Sequence, residues 1–256
     1  MSGNRPLGDF LRSRRERLDP AALKVPSARR RRTPGLRREE VADRAGISCE
    51  WYIKLEQGRE VSASSETIAA LAKALMLDDD ETAHLRKLAA REPAPRFVRE
   101  MVPETIGTIV RGLSEPAYVT GIRWDVLCWN SSADQLFGFS DMCDVERNIL
   151  LYMLTSSAAR ELFGDSWAME AQRMIALFRT TYDQRQGDPL FEEMVSALDA
   201  GSTEFRAWWS SYRVATPSSG QKTLRPEGQS GTSFVYATFQ ANDDPALKLA
   251  LYSRVR

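Results

Sequence analysis

The stretch that most constrains the fold runs from residue 36 to residue 58, LRREEVADRAGISCEWYIKLEQG. Gly46 stands where the chain has to turn sharply after a first helix, and glycine adopts the left-handed backbone there without steric cost. Ser48 supplies an N-cap oxygen for a second helix. The apolar positions that can close one small core are Leu36, Val41, Ala42, Ala45, Ile47, Tyr52 and Leu55. This pattern predicts a helix-turn-helix whose second helix enters the DNA major groove, although two helices and a turn also occur in proteins that never touch DNA.

Composition is typical of a globular protein. The 256 residues suffice for one or two domains with a sizeable core, and 43% of them are apolar and 27% charged. No window approaches the roughly 20 apolar residues of a membrane span, and the start of the chain shows no secretory signal. Cys49, Cys128 and Cys143 have neither a disulfide-framework nor a zinc spacing. We therefore expect a cytoplasmic protein that has no membrane partner.

The zero net charge hides an asymmetry along the chain. Residues 1–60 hold 15 Lys and Arg against 9 Asp and Glu, a net charge of +6, and the rest of the chain carries −6. A basic head on an acidic body indicates that only the first part faces a polyanion. Four consecutive arginines, residues 29–32, lie in an insertion over residues 19–36. That run is either a solvated loop or an arm that lies on DNA phosphates.

Helical periodicity predicts an all-α head of five helices. Besides the helix pair at residues 36–58, the apolar spacing predicts helices over residues 7–18 and 64–77, and Asp78 begins a further short one. The two prolines of REPAPR, residues 91–96, are typical of a linker. The predicted boundaries are a helix-turn-helix domain over 1–92, a linker over 93–102 and a second domain over 103–256.

The second domain is rich in aromatic residues and alternates strands with helices. Strands are predicted near 117–123 and 126–129, helices over about 148–200, and further strands at about 211–216, 221–225, 233–240 and 246–254. Both alternating faces of TSFVYATFQ (232–240) are apolar, so we expect this strand to be central and covered on both sides. The order of elements predicts an α+β domain with an antiparallel sheet, similar to a PAS sensor domain.

Several motifs together resemble one family. RRRTPGLRREEVADRAGISCEWYIKLEQGRE (30–60) is similar to the head of the MmyB-like transcription regulators, within the phage-repressor (XRE) class of helix-turn-helix proteins. RWDVLCWN (123–130), ERN (146–148) and STEFRAWW (202–209) resemble the ligand-binding domain of that family. The resemblance implies a phage-repressor-like head and a ligand-binding domain. The chain departs from the family pattern before the penultimate strand, where Arg225 precedes Pro226 in place of a histidine.

The architecture that the resemblance implies places three side chains of the recognition helix in the groove, namely Cys49, Glu50 and Lys54. Glu50 is expected to accept a hydrogen bond from a cytosine N4 amine, and Lys54 is expected to donate to guanine O6 or N7. If Glu50 reads no base, Lys54 one helical turn away must balance its charge. The expected phosphate contacts come from Arg30, Arg31, Arg37, Arg38, Ser48 and Arg59.

Two further expectations concern the head. Trp51 and Tyr52 of the recognition helix are predicted to pack against the head and not to contact DNA. One such head buries too little surface for tight operator binding. We therefore expect a homodimer that binds a double-stranded operator with half-sites about one DNA turn apart.

The second domain lacks the usual groups of an enzyme. The only histidine of the chain is His84, in the head, so Ser-His and Cys-His nucleophile pairs and imidazole metal sites are excluded from the second domain. No glycine loop for phosphates is present either. The sequence therefore predicts neither catalysis, nor a metal site, nor a cofactor.

The aromatic residues of this domain predict instead a pocket for a small hydrophobic molecule, such as a fatty acid or an aromatic metabolite. The candidate lining residues are Tyr118, Trp129, Phe137, Met174, Phe178, Phe205 and Trp209, with Arg179 as a partner for a carboxylate. The alternative is that these aromatic residues only fill a core. The second domain would then serve dimerisation or protein recruitment without a ligand.

Overall fold

The computed structural model describes residues 4–23, 35–59, 63–90, 96–226 and 231–255, whose contacts group into two units. The first unit is formed by the described residues of Met1–Pro95 with Tyr182–Gln186 and Ser211–Ala215. The second unit is formed by Arg96–Thr181, Gly187–Ser210 and the described residues of Thr216–Arg256. The predicted boundaries at residues 92 and 103 stay predictions. Within the described ranges, no helix has the length and apolar character needed to cross a membrane.

Five complete helices lie in the described part of the first unit. They are α1 (Arg5–Arg17), α2 (Arg38–Ala45), α3 (Cys49–Glu56), α4 (Ser65–Ala74) and α5 (Asp79–Ala89). Gly46 has a φ of 66°, which ends α2 in the predicted turn. The hydroxyl of Ser48 accepts a hydrogen bond from the Trp51 N–H at 3.2 Å, as predicted for the N-cap of α3. These observations confirm the five-helix head and its helix-turn-helix.

One apolar core holds the first unit together. Tyr52 of α3 is fully buried in it, and Trp51 is half-buried against it, which confirms that both side chains pack against the head. That neither side chain contacts DNA stays a prediction. The predicted strand over 211–216 is wrong, because this segment packs against the same core through Tyr212 and Val214. Tyr212 has a φ of 52°, and its carbonyl accepts a hydrogen bond from Arg14 at 2.8 Å. A positive φ breaks the extended backbone that a strand requires.

Seven α-helices begin in the described part of the second unit. They are α6 (Glu104–Gly112), α7 (Ser131–Phe137), α8 (Ile149–Thr155), α9 (Ser157–Phe163), α10 (Trp167–Arg185), α11 (Pro189–Gly201) and α12 (Thr203–Ser210), and the last turn of α10 belongs to the first unit. Asn148 caps α8 by accepting from the N–H groups of Leu150 and Leu151. The Ser202 hydroxyl accepts from the Phe205 N–H at 3.1 Å and so caps α12. The helical block predicted over 148–200 is thereby confirmed.

The described strands of the second unit form one antiparallel sheet. They are β1 (Ala117–Thr120), β2 (Val126–Trp129), β3 (Gly220–Leu224), β4 (Thr232–Gln240) and β5 (Lys248–Arg254), and their order across the sheet is β2-β1-β5-β4-β3. Helices plus a five-stranded antiparallel sheet confirm the predicted α+β fold class.

The outer face of the sheet is only partly covered. Val110 of α6 packs with Ala117 and Val119 at the β1 end. On β4, by contrast, Val235 and Phe239 are 48% and 54% exposed. The prediction that β4 is covered on both sides is therefore wrong. β4 does have a neighbouring strand on each side. However, α6 covers only the β1 end of the sheet, so the apolar residues on the outer face of β4 stay in contact with solvent.

Candidate functional site

The recognition helix α3 presents two of the three predicted base-reading residues to solvent. Lys54 Nζ lies 2.8 Å from Glu50 Oε1, one helical turn earlier, and both side chains are exposed. The hydrogen bond from Lys54 lowers the pKa of the Glu50 carboxyl. In the free protein the two charges therefore balance each other. An exposed pair of this kind contributes little stability, so a DNA base can replace either partner at little cost.

Cys49 and Ser48 at the start of α3 have structural tasks of their own. Cys49 is only half-exposed and packs against the core of the first unit. The Ser48 oxygen accepts the capping hydrogen bond, and a hydroxyl that accepts in this way still has a hydrogen to donate to a phosphate. A base contact for Cys49 and a phosphate contact for Ser48 stay predictions.

The predicted phosphate-binding arginines have different surroundings. Arg37 precedes α2 and lies 3.3 Å from Glu39, at the surface. Arg38 opens α2 and lies 2.8 Å from a carboxylate oxygen of the buried Glu56. Arg59 is exposed just after α3. Arg30 and Arg31 lie outside the described residues, and the phosphate contacts of all five arginines stay predictions.

A buried ion pair that involves the last residue of the recognition helix, Glu56, was not expected from the sequence. Glu56, at the end of α3, is 0% exposed and accepts hydrogen bonds from Arg15 Nε at 2.7 Å and Nη2 at 3.0 Å. Arg38 Nε donates to the same carboxylate at 2.9 Å. Burial alone would raise the pKa of Glu56, but the hydrogen bonds from Arg15 and Arg38 outweigh it and lower the pKa. This carboxylate therefore joins α1, α2 and α3.

The signal for this ion pair was present in the spacing of α3. Tyr52, Leu55 and Glu56 stand at i, i+3 and i+4, which places the glutamate on the buried face of the helix. A carboxylate at such a position needs a buried cation. The arginine that supplies the cation is 41 residues away, and local patterns do not identify it.

The predicted ligand-contacting residues fall into two aromatic clusters of the second unit. The first cluster contains Tyr118, Trp129 and Phe137 with Phe139 and Tyr252 on the inner face of the sheet. The second cluster contains Phe178, Phe205 and Trp209 with Trp124 and Phe191 between the helices. Met174 is half-buried on α10. Their part in binding a ligand stays a prediction.

Arg179 contacts the second aromatic cluster through Trp209. Arg179 is only 6% exposed, and its Cζ lies 3.1 Å from the centroid of a ring of Trp209. Its Nη2 donates a hydrogen bond to the Trp209 carbonyl oxygen at 2.6 Å. The guanidinium therefore already has Trp209 as a partner, and its predicted contact with the carboxylate of a ligand stays a prediction.

Besides Arg179, the second unit contains the buried cation Lys222, which was not predicted from the sequence. Its Nζ lies 2.8 Å from Glu170 Oε2 and 4.1 Å from the ring centroid of Tyr236, and burial lowers the pKa of its ammonium group. Lys222 and Leu224 are the buried residues of β3. The alternation of buried and exposed positions along β3 places Lys222 on the same face as Leu224. The sequence pattern is weak, however, because this short strand has only one apolar residue, Leu224, on its buried face.

Two further positions of the second unit were singled out from the sequence. Cys128 on β2 packs with the apolar residues beneath α6. Arg225, at the position of the expected histidine, donates from Nη2 to Asp165 Oδ2 at 2.7 Å at the surface. Across the part of the chain that the structure describes, no group of three or more His, Cys, Asp and Glu residues is arranged to hold a metal ion.

Comparison with known families matches both parts of the chain. A family model described as the MmyB-like transcription regulator ligand binding domain matches residues 102–254. A model described as a helix-turn-helix domain matches residues 6–85. Among curated proteins, none matches the chain. The two models confirm the resemblance that the sequence motifs indicated.

Proposed function

The chain belongs to the family of the MmyB-like transcription regulator ligand binding domain, and we propose that it regulates transcription in response to a small hydrophobic ligand, fatty-acid-like or aromatic. The helix-turn-helix and the ligand-binding domain support a DNA-binding transcriptional regulator. The ligand class, the residues that contact it and the assembly state belong to our proposal.

For the DNA-binding half, we assign base reading to Lys54 and Glu50, with Cys49 beside them. Both charged side chains are exposed on α3, and the pair between them can open when a base competes for either partner. We assign phosphate contacts to Arg37 and Arg59, which lie at the surface just before α2 and just after α3, and this exposure supports the assignment. A homodimer would present two such surfaces to half-sites about one DNA turn apart.

For the sensing half, the observation that carries the proposal is the contact of Arg179 with Trp209, whose ring also contacts Phe178 and Phe205. The buried guanidinium stacks on the ring of Trp209, and that ring packs against Phe178 and Phe205, so one charged partner stands next to apolar walls. This chemistry suits an amphipathic molecule that ends in a carboxylate. Because the guanidinium contacts Trp209, such a ligand would have to alter the Arg179–Trp209 pair.

We further propose that the protein is not an enzyme and that it acts in the cytoplasm. The two matched families are DNA-binding and ligand-binding families, with no enzymatic activity in their descriptions. The only histidine, His84, lies in the first unit.

The second candidate function is a DNA-binding adaptor whose second unit dimerises or recruits a protein without a ligand. The outer sheet face favours it, because Val235 and Phe239 of β4 are about half exposed. Ile109 of α6 is exposed as well. Apolar residues on such a surface gain free energy when a partner covers them.

Native mass spectrometry of the purified full chain separates the two candidates. We expect a homodimer that carries one small molecule per chain, and dodecanoate is expected to bind when that molecule has been removed. Arg179→Met should weaken dodecanoate binding about tenfold or more, because it removes a charge-assisted hydrogen bond of about 1.5–3 kcal/mol. The control, Arg206→Met, changes an exposed arginine of α12 and should leave binding unchanged.

A dimer that has no bound mass and does not bind dodecanoate would instead favour the adaptor. A monomer that has no bound mass and does not bind dodecanoate would contradict the ligand-responsive dimer and the dimerising form of the adaptor, and would leave only an adaptor that recruits another protein.

A further inference from the structure

A buried hydrogen-bonded group in the first unit contains residues from distant parts of the sequence. His84 Nε2 lies 3.0 Å from Asp183 Oδ2, and the Tyr212 hydroxyl donates to the same oxygen at 2.9 Å. The side chains of His84 and Asp183 are 2% and 1% exposed. His84 belongs to α5, Asp183 to the last turn of α10 and Tyr212 to the segment after α12. The first unit is therefore completed by two segments that lie beyond residue 180.

Helix α1 contacts this group and also holds the recognition helix. The ring of Phe10 lies 5.0 Å from that of His84 and 6.0 Å from that of Tyr212. The next turn of α1 carries Arg14, which donates to the Tyr212 carbonyl at 2.8 Å. The following residue, Arg15, is the buried partner of Glu56 on α3. A displacement of Tyr212 therefore acts on the helix that anchors α3.

The same two segments are tied a second time, within the second unit. Arg179 lies one helical turn before Asp183 on α10, and Trp209 lies three residues before Tyr212. Arg179 donates to the Trp209 carbonyl at 2.6 Å and stacks on its ring. Two successive contacts thus connect α10 to the segment around residues 209–212, one in each unit.

We propose that the Arg179–Trp209 and Asp183–Tyr212 contacts form a path that couples the ligand-binding unit to the helix-turn-helix. A ligand that alters the Arg179–Trp209 pair shifts α10 against the segment after α12. Asp183 and Tyr212 carry this shift to His84 and α1, since closely packed buried groups have few alternative arrangements that could absorb it. The biological role of the path rests on the proposed function, but the coupling itself can be measured without a ligand.

A double-mutant cycle in the full chain tests this coupling. Arg179→Met and Tyr212→Phe are made singly and together, and amide hydrogen exchange is measured by mass spectrometry in peptides that cover α3 and α5. We expect Arg179→Met, a change in the second unit, to speed exchange in these peptides about three- to tenfold. In the Tyr212→Phe background the same change should add almost nothing, because the path is already broken.

Two variants serve as matched controls. Arg206→Met removes an exposed arginine of α12, and Tyr152→Phe removes the hydroxyl of a buried tyrosine of α8 outside both contacts. Neither should change exchange in α3 or α5. If circular dichroism shows that Tyr212→Phe unfolds the first unit, His84→Gln replaces Tyr212→Phe in the cycle. Arg179→Met should then add almost nothing to exchange in the His84→Gln background.

The path is overturned if Arg179→Met leaves exchange in α3 and α5 unchanged, or if the two substitutions act independently. The outcome is distinguishable from failure of the proposed function. A bound mass without coupling overturns the path alone, and coupling without any bound mass or dodecanoate binding overturns the ligand proposal alone.

Discussion

Glu56→Ala is expected to destabilise the helix-turn-helix unit by about 3–5 kcal/mol, the cost typical of removing one partner of a buried ion pair. The reason is that Arg15, whose side chain is only 7% exposed, would keep its charge in the core without the carboxylate that holds it. The measurement is urea unfolding of the full chain, followed by circular dichroism. Glu50→Ala on the same helix is the control, because Glu50 is exposed and its loss should leave stability nearly unchanged.

The same ion pair predicts how stability depends on pH. Because the pKa of Glu56 is lowered in the folded protein, the pair stabilises the fold above the ordinary carboxyl value of 4.5. That stabilisation is lost as the pH falls through the lower, folded pKa. Glu56→Ala should therefore lose less stability than the unmodified chain on acidification below about pH 4.5. A Glu56→Ala chain as stable as the original at neutral pH would contradict this role of the pair.

Lys54→Ala is expected to remove most of the sequence preference of DNA binding. Loss of its base contact should weaken binding to the preferred duplex by about 1–3 kcal/mol, roughly 5- to 150-fold, and leave binding to a random duplex almost unchanged. Arg59→Ala should instead weaken binding to both duplexes. It should also reduce the slope of the logarithm of affinity against the logarithm of salt concentration by about one, because one counterion fewer is released on binding. Fluorescence anisotropy at two salt concentrations measures both effects.

Arg59 is a better phosphate control than Arg38. Arg38 also donates to the buried Glu56, so Arg38→Ala would change the stability of the unit together with its DNA affinity. Equal losses for Lys54→Ala on preferred and random duplexes would show that Lys54 contacts only the backbone.

The features that the sequence predicted best depend on neighbouring residues. The turn at Gly46 and the cap at Ser48 need only a backbone conformation or an oxygen close in sequence, and both are present. The burial of Tyr52 follows from helical periodicity. Local chemistry alone therefore sufficed for the helix-turn-helix.

The features that the sequence missed depend on distant partners. Residues 211–216 have the composition of a strand, yet Tyr212 hydrogen bonds to Asp183 and packs near Phe10, which local patterns do not reveal. The Glu56–Arg15 pair was missed for the same reason.

The candidate ligand site shows the same limit. Phe178 and Phe205 were among the predicted lining residues, and both are fully buried. The spacing of residues along the sequence cannot show which buried side chains contact each other. The residues predicted to line one pocket therefore lie in two separate aromatic clusters. The buried Lys222 on β3 was missed because its carboxylate partner, Glu170, comes from a helix 52 residues earlier.

Selection of DNA from a random-sequence duplex pool by the full chain tests most directly whether this protein is a sequence-specific regulator. We expect enrichment of one motif arranged as two half-sites about one DNA turn apart. The same selection with Lys54→Ala should enrich that motif much less. Retention of the pool without any enriched motif would contradict a sequence-specific regulator and leave only general attraction to phosphates.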